Sequence, residues 1–338
     1  MTEVNNQYDY KKQSYKKLLF IIIGLIICTV SFVTDIIVGP ASLTLSDVWL
    51  ALTDPAEVSK NAYVIIWSIR LPTAIMALLV GASLGIAGAG MQTILDNPLS
   101  SPYTLGISAG AGFGASLMVV VGASALEFLG VFMVPFGAFV FASLTSFFIY
   151  SINKIKNFSS ETMILAGIGM MFLFQALQSL MQYMASPEAL QNIVFWTMGS
   201  LAKANWVNIS IVLIVLAIML PLMMRESWRL TALKLGDEKA SGLGVNVESL
   251  RVKVFAFISI ITAVAVSFVG TIGMLVGEDQ RYFLPLSAVC GMAILSLASI
   301  ASKMLVPGAM FPIGIVTAII GVPFFFSLVL TRKRSYFK

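Results

Sequence analysis

The sequence predicts an all-α, polytopic membrane protein, a bundle of about ten transmembrane helices of roughly 20 residues each. Two features of composition and one of pattern predict it. Hydrophobic residues fill 58% of the 338 positions and charged residues only 11%, whereas a soluble domain usually carries about 25% charged residues. The mean hydropathy is +0.94. The apolar residues are also gathered into long uninterrupted runs, and open strands cannot satisfy their backbone in lipid, so the runs are helices.

The first run, 18–39, follows Lys11, Lys12, Lys16 and Lys17. It is longer than the 7–15-residue apolar core of a signal peptide, so it reads as a retained helix behind a short tail, 1–17. The second, 71–95, opens after Arg70 and stops at Asn97-Pro98, because proline disfavours helix at the residue before it. Its small residues Gly81, Ala82, Gly85, Gly88 and Gly90 permit close helix contact. A glycine-dense third run, 105–125, starts its helix near Ser108, and 129–152 follows. In the fifth, 160–185, Gln175, Gln178 and Gln182 stand at i, i+3 and i+7, which places them on one helical face. Amides within a span need partners, so this face either bonds to a neighbouring helix or lines a wet pathway. The methionines around it, Met163, Met170, Met171, Met181 and Met184, read as adaptable packing. Runs 206–224, 252–276, 284–302 and 311–331 complete nine, ahead of a tail at 332–338.

Lysine and arginine set the orientation. With the N-terminus cytoplasmic, Lys154, Lys156, Arg225, Arg229, Lys234, Lys239, Arg251 and Lys253 are cytoplasmic too, while Lys60, Arg70 and Lys203 are outside. The basic end "TRKRSYFK" also belongs inside. Two cytoplasmic ends require an even number of crossings, so one crossing is missing from the nine runs.

The chain has no histidine, which removes the usual general base and the commonest transition-metal ligand. It has no Gly-Lys pair, hence no Walker A phosphate loop. Cys28 and Cys290 lie in apolar runs and read as free thiols. The longest polar interruption, 225–251, contains "LKLGDEKASGLGVNVESLR". Gly236, Gly242 and Gly244 allow sharp turns, and Asp237 and Glu238 favour a helix start. The stretch is longer than a connection needs. It is either a solvated loop or a docking element, and its apolar Leu235, Ala240, Leu243 and Val245 favour docking.

Three motifs carry a resemblance: "RLP…VGASLGIAGAGMQ…NPLSSPYTLGISAGAGFG", "LGDEKASGLGV", and "LPLSAVCGMAILSLASIASK" followed by "FPIGIVTAIIGVPFFFSLVL". With "FWTMGSL" they make the chain similar, over nearly its whole length from about residue 15, to the FecCD family. These are permeases of ABC importers for iron-siderophores, haem and vitamin B12. The resemblance implies ten transmembrane helices, a second permease subunit, two cytoplasmic ATPases that hold the ATP and Mg, and an extracytoplasmic substrate-binding protein. It implies no cofactor on this chain, no enzyme activity of its own and no nucleic-acid partner, only lipid and protein ones, in a bacterial cell membrane. It assigns the ATPase-coupling role to Leu235, Gly236, Asp237, Glu238, Ala240, Leu243, Gly244 and Val245. It places Arg70 and Lys303 at the outer rim as docking residues for the binding protein, with Lys203 as a further contributor. Thr73 stands where the family often has a second arginine.

The expected function is therefore passage of an iron-siderophore or similar large chelate, with haem or vitamin B12 as the alternative. A secondary transporter ranks lower, because intramembrane acid–base pairs are not evident; a membrane scaffold is disfavoured by the long polar loop. The resemblance also locates the missing crossing. Relatives carry about eleven further residues after the position of Gly273, and only 254–276 remain here for two crossings that need about 40. The expectation is a cytoplasmic C-terminus and a shortened return helix over 262–276.

Overall fold

The computed structural model describes residues 2–41, 43–55, 57–121, 127–155, 159–271, 280–305 and 311–331. Every regular element among them is helical. The helices are α1 (Thr2–Ile37), α2 (Leu45–Thr53), α3 (Lys60–Ile65), α4 (Leu71–Ile94), α5 (Ile107–Val121), α6 (Met133–Ile155), α7 (Ser160–Met184), α8 (Pro187–Thr197), α9 (Trp206–Arg225), α10 (Ser227–Leu233), α11 (Asp237–Gly242), α12 (Val247–Val269), α13 (Gln280–Leu305) and α14 (Ile313–Thr331). Each of the nine apolar runs contains one long helix. Among the described residues seven helical stretches are long and apolar enough to cross a membrane, with Ile107–Val121 and Ile313–Pro323 as shorter apolar ones. The lysine-rich tail is continuous with α1 as helix rather than separate from it.

α4 is the central helix, with 83% of its apolar window buried against 22% for α7. Its small residues are the reason. A Cβ on Gly81 would lie 2.4 Å from the Gly291 carbonyl oxygen, and one on Gly85 2.2 Å from that of Ser287. Only glycine lets the α4 and α13 backbones touch in this way. Further along α4, Gly90 admits the ends of Ile258 from α12 and Met223 from α9. Around this axis Met76, Ile86, Met91, Ile107, Ile258 and Leu295 make one continuous core.

Three short helices occupy stretches that composition alone marks as polar. α2 starts with a capping box, in which Thr44 and Asp47 bond each other's backbone N–H. α3 runs through a π segment, Ile66–Arg70, straight into α4. α8 begins with Ser186 as N-cap and proline at the first position, the usual helix-start chemistry. The Trp67 indole donates to Ala51 O and that of Trp206 to Trp67 O, which ties α2, the π segment and α9 together at one end of the bundle. Both cysteines are free.

The last third of the chain differs from expectation. α12 is one uninterrupted helix to Val269, so 262–269 completes the span begun at Val247 and forms no shortened return; 272–276 lies outside the described residues. Val269 O accepts from Ser200 N, and Ile313 N donates to Gly199 O. α12 therefore ends beside the start of α14. Phe283, near the start of α13, lies under the Lys234 ammonium, 5.2 Å from the ring centre, at the opposite end. α12 thus ends and α13 begins on opposite sides, and only 270–279 joins them. The shortage read from the sequence falls after a complete α12, because an apolar helix forms along its whole apolar length where lipid leaves its backbone no other partner.

Candidate functional site: a projecting helix and two charge clusters

At one end of the bundle, α10 and α11 project from the α9–α12 connection. Gly236 has φ +97°, a left-handed conformation that side chains resist, and it turns the chain into α11. Gly244, at φ +82°, turns it out again; Gly242 closes α11 itself. Ala240 and Val245 are buried and fasten the short helix to the bundle. Gly236, Asp237, Glu238 and Gly244 are exposed, as are Leu235 and Leu243, at 56% and 60%. The result is a turn of helix seated on one face, with two large apolar side chains pointing away from the protein.

Charges hold this element. Arg251, the fifth residue of α12, grips Asp237 with both Nη atoms, 2.8 and 3.0 Å from the two carboxylate oxygens. Beside it, Glu226 accepts from Lys253 Nζ at 3.0 Å and from Arg229 Nη1 at 2.9 Å. Burial alone would push the Glu226 carboxyl up; the hydrogen bonds and charges of Lys253 and Arg229 outweigh it and hold the group below its ordinary value.

The opposite end carries the second cluster. Asp35, Arg70 and Lys303 converge from α1, the π segment and α13. Lys303 Nζ lies 2.8 Å from Asp35 Oδ1 and donates to Asp35 O at 2.7 Å. Ser299 Oγ donates to both Asp35 carboxylate oxygens. Arg70 donates to the carbonyls of Ile36 and Ile37, unpaired acceptors at the end of α1, and to that of Ala41 just beyond it. Arg70 is 2% exposed and Lys303 5%. Neither offers its charge to an outside partner, which corrects the expectation that these two form a docking rim. Their chemistry is spent inside the chain, because an unpaired helix end and a buried carboxylate must be satisfied locally. Lys203, in the turn before α9, is exposed.

The glutamine face divides. Gln178 is buried and its amide donates to Thr197 Oγ1 at 3.0 Å, linking α7 to the end of α8; a Cβ on Gly112 of α5 would press on it. Gln175 is exposed and Gln182 half-buried. Of the two readings the sequence leaves open, Gln178 takes the interhelical one, while the other two remain on a surface of the chain. The Asp35–Lys303 pair was not evident from sequence. Its partners lie 268 positions apart, and the available signal was one aspartate inside the apolar run 18–39.

A tightly packed bundle of long apolar helices with a short helix projecting at one end is the architecture of a polytopic membrane protein. Comparison with known proteins makes this specific. The FecCD transport family matches residues 25–331. The molybdate import system permease protein MolB of Haemophilus influenzae is 33% identical, over 95% of this chain and 98% of its own. The Fe(3+)-citrate import system permease protein YfmE of Bacillus subtilis is 32% identical, over 96% and 98%. A solved structure of the metal-chelate ABC transporter type, in an inward-facing conformation, superposes with a TM-score of 0.78 at 27% identity, covering 94% of this chain and all of that one. The chain belongs to the FecCD family: it is a multi-pass permease of an ABC importer.

Proposed function

We propose that this chain forms, with a second permease subunit, the translocation pathway for an iron-siderophore or similar large iron chelate, and that α11 docks it to a cytoplasmic ATPase. The observation that carries the docking is the pair of exposed leucines, Leu235 and Leu243, that flank a short helix fixed from behind by Ala240 and Val245. A solvated loop has no need of them, and a fixed apolar pair is what a partner's cleft can grip. ATP and Mg belong to that partner. Charge placement supports α11 on the cytoplasmic side of a bacterial cell membrane, with both termini there. With Arg70 and Lys303 buried, Lys60 and Lys203 are the exposed basic residues of the Asp35 end among those described. Lys154, Arg225, Arg229, Lys234, Lys239 and Lys253 cluster at the other.

Iron chelate as cargo draws on the iron-citrate relative and on the metal-chelate structure. Haem or vitamin B12 is the alternative within the family, and the molybdate relative favours a compact oxyanion as a further reading. Uptake into proteoliposomes holding the permease, its ATPase and its binding protein separates these cargoes. ATP-dependent entry of a ferric siderophore supports the first reading; entry of haem, vitamin B12 or molybdate alone overturns it. Changing Leu235 and Leu243 together to glutamate should reduce co-purification of the ATPase by about tenfold or more, since large apolar contacts at an interface centre cost over 1 kcal/mol each. Undiminished co-purification would remove α11 as the dock.

For the outer partner, Lys203→Glu should weaken association of the substrate-binding protein by about 0–1 kcal/mol, the worth of one exposed ion pair. The effect should fade as salt screens charges beyond about 8–10 Å. A titration at low and high salt that shows no difference would exclude Lys203 from that interface.

A further inference from the structure

We propose that Arg251 is a positioning residue that passes the movement of α11 to α7 and α4. The inference rests on the reading that α11 docks the ATPase, and deepens it. An element that docks must also be connected to what moves, and the guanidinium makes that connection. It is buried, with its side chain 9% exposed. Its two Nη atoms hold Asp237, the first residue of α11, in a bidentate fork. Nη2 also reaches Ser160 Oγ, at 3.1 Å, on the first residue of α7. Nε donates at 3.0 Å to Ile94 O, at the last residue of α4, an acceptor that its own helix cannot satisfy. One planar, rigid group therefore joins the start of the docking helix, the start of the glutamine-bearing helix and the end of the central helix, from its own position on α12.

The geometry suits transmission better than anchorage. Ala240 and Val245 already fasten α11 by burial, so an anchor needs no fork. Glu226 with Lys253 and Arg229 ties α9 to α12 without touching α11. Arg251 is the group described that bonds α11 to α7. None of these four bonds is to α6, so they pass a displacement of α11 to α7 and α4 rather than to α6. Arginine fits the task because its fork is pre-organised; a lysine keeps the charge but contacts as a single point.

Spin-label pairs on the purified permease–ATPase complex test this, with Cys28 and Cys290 replaced by alanine. Labels at Lys154→Cys and Glu161→Cys, both exposed, report α7 against α6. Labels at Glu161→Cys and Ser241→Cys report α7 against α11. Trapping with Mg-ATP and vanadate should change the first separation and leave the second unchanged. Asp237→Ala cuts the fork on the α11 side, and Ser160→Ala removes the α7 arm alone. In both, as in Arg251→Lys, the first change should be lost and the second separation should shift in the assembled complex. If Arg251→Lys or Asp237→Ala fails to assemble, Ser160→Ala decides alone, since it leaves the Arg251–Asp237 pair in place. A 154–161 change that survives in those variants overturns the proposal, as does its absence in the wild-type complex. Failure of the docking reading registers separately, as undiminished co-purification of the ATPase by the Leu235 and Leu243 double variant.

Discussion

Asp35→Ala should destabilise the folded protein by about 3–5 kcal/mol, the cost of leaving one member of a buried pair without its counter-charge. The Lys303 side chain is 2% exposed and would keep its ammonium in a site with the carboxylate gone. Ser299 would lose its acceptor as well. Thermal unfolding in detergent, followed by the loss of monodisperse protein, measures the effect. The control is Asp35→Ala combined with Lys303→Met, which removes both charges and should recover most of the loss, because a buried pair is worth little over apolar replacements of similar volume. If the single variant unfolds at the wild-type temperature, the pair is not holding α1 to α13. If the double variant is as unstable as the single, the cost comes from lost packing and the account of the charges is wrong.

Gly291→Leu should prevent normal assembly of the bundle. A Cβ there would lie 2.0 Å from Gly81 O on the facing helix, and backbone cannot step aside as a flexible side chain can. Overpacking typically costs about 1–3 kcal/mol and more where backbone must part; this contact belongs to the upper end, even for Gly291→Ala. Gly169→Ala on α7 provides the contrast, since a Cβ at Gly169 meets nothing within 4 Å. It should be neutral or gain up to about 1 kcal/mol in helix propensity. Expression, extraction and thermal stability of the variants check the ranking. Equal behaviour of Gly291→Ala and Gly169→Ala would mean that α4 and α13 do not meet as described.

Much of this was legible in the sequence. Runs of about 20 apolar residues leave the backbone no option but helix in lipid, so the nine long helices follow from composition alone. The turn–helix–turn at 236–244 was legible because glycine and acidic residues have local reasons to stand where they do. What escaped were features that depend on distant partners. The resemblance put Arg70 and Lys303 at the outer rim as docking residues, but only the packing of α1 against α13 decides whether such a charge faces water or an aspartate. Gln178 was readable as polar in a span, whereas its partner, Thr197, belongs to α8, a helix hidden in a stretch of mixed composition. Ser186-Pro187-Glu188 was the signal there. Arg251 read only as one more cytoplasmic charge, since nothing local to it shows that Ile94, Ser160 and Asp237 meet around it.

The glycine seam between α4 and α13 has a kinematic consequence. Two helices that touch through side chains can slide, because side chains change rotamer as ridges pass. Helices that touch backbone to backbone have no such lubricant. Advancing one past the other by a turn, about 5.4 Å, brings Ala77 or Gly85 of α4 towards Gly291 in place of Gly81. In one of those directions a methyl group then meets a carbonyl. The two helices are thus keyed to each other like a shaft in its bearing and turn or tilt as a single body. Motion in the permease then belongs to helices whose neighbours are looser, and α7, with most of its surface uncovered in this chain, is the blade such a shaft would carry.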